Sequence, residues 1–68
     1  MKFFEVGFHT GSGVFSCNVI TGESGEKCRE AAEAHAKKYG YEISYFMEID
    51  ESKMEYNRKP VWSAERYA

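Results

Sequence analysis

Residues 24–40 read SGEKCREAAEAHAKKYG, and this stretch decides the fold. At about 100° per residue, Cys28, Ala31, Ala32, His35 and Tyr39 share one stripe, while Glu26, Glu30, Glu33 and Lys37 lie opposite. The spacing predicts an amphipathic helix over residues 24–39. Ser24 is placed to cap its amides, Glu26 suits its positive start, and Lys37 and Lys38 suit its negative end. Gly40 fits the left-handed position at which helices commonly stop. Glu33 stands four residues before Lys37, the favourable order for a helical ion pair. Because the inward stripe is built mostly of small side chains, the surface it meets must bring its own bulk. A phenylalanine-rich sheet would supply it.

Working outward, residues 2–10 alternate as a strand, with Phe4, Val6, Phe8 and Thr10 on one face and Phe3, Glu5, Gly7 and His9 on the other. Residues 14–21 alternate again after the Gly11-Ser12-Gly13 break, so the two form a hairpin. Pairing Thr10 with Phe15, Phe8 with Cys17 and Val6 with Val19 makes one coherent apolar face. A three-residue loop would set Phe8 opposite Ser16, and that register is rejected on this ground. Residues 41–50 return as a third strand, with Tyr41, Ile43, Tyr45, Met47 and Ile49 expected to meet the helix.

The fold class that follows is α+β: a β-β-α-β(-β) two-layer sandwich, mainly antiparallel, strand order 2-1-3, with one helix packed on one face. Residues 1–50 form the core. Residues 51–68 form a tail that packs on it, and Met54 to Arg58 can add a fourth strand beside the third before Pro60 ends it.

The chain has 68 residues, 43% of them hydrophobic and 16% aromatic, enough core formers to fold despite 29% charged residues. A domain of this size buries only about 60% of its unfolded surface, so its core is thin. A net charge of -2 argues against general attraction to nucleic acid or anionic membrane. No run approaches the roughly 20 apolar residues of a membrane span, and the start lacks the pattern of a signal peptide. With only two cysteines the expected location is the cytoplasm.

Cys17, Cys28, His9 and His35 are numerically sufficient for a zinc site, but they lack the close ligand pairs that zinc favours. In the expected register Cys17 faces the helix and His9 faces away. Cys28 and His35 belong to the helix stripe and read as packing groups, so no catalytic, metal or cofactor site is expected. Gly11-Ser12-Gly13 lacks the lysine and following helix of a phosphate loop. Glu23 and Glu26 crowd the helix start against anions, and Glu48 and Asp50 read as a solvated pair.

The outer sheet face then carries Phe3, His9, Ile20 and Phe46, and the tail adds Tyr56, Arg58 and Trp62. Trp62, Tyr56 or Tyr67 is expected to fold over that face. The functional expectation is a small non-enzymatic accessory or inhibitor-like module that binds an unidentified protein, or a second copy of itself, through these residues. The alternative is a nucleic-acid-binding module using the tail aromatics with Lys53, Arg58, Lys59 and Arg66. Glu51, Glu55 and Glu65 leave that tail one net positive charge, a small electrostatic footprint. A thiol or metal enzyme is the remote alternative.

Overall fold

The computed structural model describes residues 1–52 and 59–68. Helix α1 spans Gly25–Tyr39. Ser24 caps it, its Oγ accepting the Lys27 amide at 3.2 Å. Gly40 ends it in the left-handed region (φ 71°), a conformation that costs a residue lacking Cβ little. Its buried face is Cys28, Ala31, Ala32 and Ala36. The small side chains let the helix axis approach the sheet, so the larger Tyr39 is left at the margin, 46% exposed, and His35 is half-buried. Glu33 pairs with Arg29, at 3.6 Å, from the preceding turn.

Strands β1 (Lys2–His9), β2 (Phe15–Gly22), β3 (Glu42–Ile49) and β4 (Val61–Ser63) form one sheet in the order β3-β1-β2-β4. The expected 2-1-3 order is retained, with β1 antiparallel to both neighbours. The fourth strand is not hairpinned to the third but runs parallel to β2 at the far edge, pairing Ile20 with Trp62. The segment expected as that strand, Met54 to Arg58, lies outside the described residues. A 3-10 turn, Ala64–Tyr67, follows β4 and packs beside α1.

Two register features change which side chains face the helix. In the hairpin, Phe8 stands opposite Ser16 and His9 opposite Phe15, the pairing rejected on apolar alternation. The loop between them sets the offset: Gly11 and Gly13 both take positive φ (85° and 81°), and the Thr10 amide and hydroxyl both bond the Val14 carbonyl, at 3.1 and 2.9 Å. The slip moves Ile20, Asn18 and Ser16 to the helix side and Phe15, Cys17 and Val19 to the outer side. Then a β-bulge occurs, because Gly7 pairs with Tyr45 but Phe8 pairs with Ile43, leaving Ser44 extra. Before the bulge Tyr41 and Ile43 face the helix as expected. After it Phe46 faces inward, and Tyr45, Met47 and Ile49 face outward.

The core is Phe4, Val6, Phe8, Ile20, Cys28, Ala31, Ala32, Ala36 and Ala64, with Tyr41, Ile43, Phe46, Trp62 and Tyr67 packed against it. The placement of Ile20, Phe46 and Trp62 on an outer surface is therefore corrected. Ile20 is fully buried, Phe46 stacks on Phe4 with centroids 4.7 Å apart, and Trp62 follows Ile20 onto the helix side. Asn18, the buried polar side chain, is satisfied there: it accepts from Trp62 Nε1 at 3.0 Å and donates to Ser16 Oγ at 3.3 Å. Among the described residues no helix is long and apolar enough to cross a membrane.

Candidate functional site

Of the residues expected at a binding surface, Phe3 and His9 do lie on the outer face, whereas Tyr56 and Arg58 fall outside the described residues. The outer face is rebuilt around residues that apolar alternation had turned inward. Tyr45 on β3 and Phe15 on β2 meet across β1 with ring centroids 5.9 Å apart. The strand between them allows this because it carries Gly7 at the crossing point. A Cβ there would fall 2.7 Å from Phe15 Cζ and closer still to the Tyr45 ring. His9 packs edge-on to Phe15 at 6.0 Å. Val14 and Phe15 at the hairpin end are 59% and 46% exposed, and Met47, opposite Glu5 on β1, is 52% exposed, so the outer face presents apolar groups to solvent.

Beneath it runs a chain of polar contacts. Lys59 Nζ meets Glu5 Oε1 at 3.0 Å, Tyr45 donates its hydroxyl proton to Glu5, and Cys17 Sγ lies 3.3 Å from the same hydroxyl. Burial, then the hydrogen bonds to Cys17 and Glu5, push the Tyr45 phenol well above its ordinary range, so it stays protonated and donating. Cys17 is thus an outer-face residue, not the helix-facing one expected from alternation. Cys28 lies across the sheet in the core, where burial raises its thiol pKa. Two thiols on opposite faces cannot share a ligand. Among the described residues no group of three or more His, Cys, Asp or Glu side chains could hold a metal ion.

The second constellation lies on the helix side and is centred on His35. Its ring contacts Phe8 (4.9 Å), Tyr39 (4.8 Å), Trp62 (5.0 Å, stacked) and Tyr67 (5.6 Å, edge-on), and its Nδ1 lies 2.6 Å from the Tyr67 hydroxyl. Trp62 and Tyr67 therefore close the helix side, not the outer face over which the tail was expected to fold. Lys38 and Arg66 stand at the edge of the cluster. Burial first, then these two cations, lower the His35 pKa.

The sign of the resulting pH dependence follows. A histidine with a depressed folded-state pKa binds fewer protons folded than unfolded, so its stabilising contribution is complete above the unfolded value of about 6.5 and is lost as pH falls through the folded pKa. Thermal melts followed by far-UV circular dichroism should show a falling midpoint as pH drops below about 6.5. His35→Gln should flatten that dependence; an equal slope in the variant would place the proton elsewhere.

A cleft of about 320 Å³ separates the helix start from the terminal turn, with Glu23, Lys27, Glu30, Ala64, Glu65 and Tyr67 among its lining residues. Its acidic rim has no buried unpaired group aimed into it, since no buried side-chain polar atom among the described residues lacks a partner. No protein-family model matches the chain, and no curated protein or solved structure matches it either.

Proposed function

We propose that the protein is a small non-enzymatic protein-binding module, accessory or inhibitor-like in kind, that docks through the outer sheet face at its hairpin end. The observation that supports this is the Phe15–Tyr45 pair laid over Gly7, flanked by exposed Val14 and Met47. A strand glycine with two rings over it gives a continuous aromatic surface, and aromatic rings supply contact area at low entropic cost. The groups with catalytic potential are engaged with one another: Cys17 with Tyr45, and His35 with Tyr67.

The occupant we assign to this face is a second copy of the chain. His9, paired with Phe15 and Glu42 at the hairpin end, places a basic and an acidic side chain beside the aromatic pair, so the same patch can face itself about a two-fold axis, as an isologous interface requires. The exposed large apolar residues beside the pair are few, Val14, Phe15 and Met47, so the association is weak and reversible.

Sedimentation velocity from about 10 μM to 1 mM should show concentration-dependent dimerisation, a range expected for a small interface. Phe15→Ser should abolish it while leaving the circular dichroism spectrum intact. A chain that stays monomeric throughout, or dimerises equally well without Phe15, rules out self-docking on this face. For the nucleic-acid alternative, Trp62 is a poor platform for bases, since one of its faces stacks on His35 and Arg66 lies 5.7 Å from the centroid of the same ring.

A further inference from the structure

The cations around His35 are held by rings. Lys38 Nζ lies 5.4 Å from the Tyr39 centroid and 5.9 Å from that of Tyr67, while Arg66 Cζ lies 5.7 Å from that of Trp62. Trp62 and Tyr67 are themselves in edge-on contact at 5.4 Å, so the two cations flank one pair of rings. Glu33 pairs with Arg29, and Glu65 lines the cleft toward the helix start.

From every element packed against it, His35 is faced by rings or positive charge: Lys38 and Tyr39 from α1, Phe8 from β1, Tyr41 ahead of β3, Trp62 from β4, and Arg66 and Tyr67 from the terminal turn. The two cations and the imidazole therefore stand around one pair of rings, with charges of a single sign.

We infer that the corner formed by Lys38, Arg66 and His35, walled by Tyr39 and Tyr67, binds a phosphate group. The inference is separate from docking at Phe15, which lies on the other face of the sheet. Arg66 presents a planar fork suited to two phosphate oxygens, and Lys38 presents a point charge to a third. His35 then gains a proton on binding, since the anion offsets the two charges that disfavour its imidazolium.

The test follows the His35 ring protons by NMR and Trp62 emission by fluorescence during titrations with three probes: inorganic phosphate, a single-stranded oligothymidylate, and sodium chloride at matched ionic strength. Saturable changes with phosphate, an upward shift in the His35 titration, and a loss of about tenfold in affinity for Lys38→Ala and for Arg66→Ala are expected. Both side chains are surface cations, and unchanged melting of each variant confirms that the fold is kept. Much tighter, salt-sensitive binding of the oligonucleotide than of phosphate identifies a nucleic-acid strand as the source of the phosphate. Equal affinity per phosphate identifies a small phosphate-bearing ligand. If neither probe does more than chloride, or if the Lys38→Ala/Arg66→Ala double variant binds as wild type does, the inference is overturned. The state of the Phe15 surface affects none of these readouts.

Discussion

Replacing Gly7 by valine should destabilise the protein by about 2–3 kcal/mol, although valine is among the best strand formers and glycine among the worst. Gly7 does not have positive φ, so the backbone would accept a side chain. The space above it would not. A Cβ enters the stacked Phe15 and Tyr45 rings, lying 2.7 Å from Phe15 Cζ and closer to Tyr45. Phe15 is 46% exposed and can swing aside. Tyr45 cannot move without releasing its hydrogen bonds to Glu5 and Cys17.

The intrinsic gain from valine is at most about 1 kcal/mol, so steric exclusion decides the sign. Urea unfolding provides the measurement, and a double-mutant cycle isolates the cause. In a Tyr45→Ala background the Gly7→Val penalty should shrink by about 1–2 kcal/mol. A Gly7→Val protein as stable as wild type would mean that the rings do not lie on the strand as described.

The same glycine marks where sequence reasoning could have gone further. Helix α1 was legible to within a residue because its cap, period and C-terminal glycine all agreed. The positions of β1, β2 and β3 were legible from period and flanking breaks, but that of β4, after Pro60, was not. The faces of β2 and of the second half of β3 were not, because each depended on one residue of register. Apolar alternation preferred Phe15, Cys17 and Val19 inward, but the loop chemistry of Thr10, Gly11 and Gly13 fixed the opposite offset.

Val19 shows why alternation misled. It is outward and still fully buried, with its amide donating to the Pro60 carbonyl at 2.8 Å, so an apolar residue did not imply the helix side. The bulge at Ser44 had no composition signal at all. Gly7, however, sits mid-strand among phenylalanines, and an interior strand glycine points to a bulge or to a close overlay by another group. Both occur at this crossing. Phe15, Tyr45 and Met47 were the site residues missed, and that glycine was the one cue to them.

Trp62 gives the largest expected loss and separates core from surface most directly. On an outward tail, Trp62→Ala would leave folding intact and weaken only binding. Placed as it is, the indole stacks on His35, contacts Tyr67, and donates to Asn18, which is 6% exposed. Truncation removes packing worth about 3 kcal/mol for a partly buried tryptophan and leaves the Asn18 carbonyl without its donor, a further cost of about 1 kcal/mol.

A domain of this length has about 3–10 kcal/mol of stability in total, so a large part of the fold's margin depends on this one side chain. Trp62→Phe separates the two contributions. It restores a ring against His35 but not the donor, and should recover most of the packing while remaining about 1–2 kcal/mol below wild type. Combining Trp62→Phe with Asn18→Leu removes the stranded acceptor and should regain part of that difference, because replacing both partners by apolar groups avoids an unpaired buried atom. Chemical unfolding monitored by circular dichroism ranks the three variants. If Trp62→Ala unfolds at the wild-type midpoint, the indole contributes nothing to the core; the terminal turn would then owe its position on α1 to Ala64 and to the contacts of Tyr67 with His35 and Lys38.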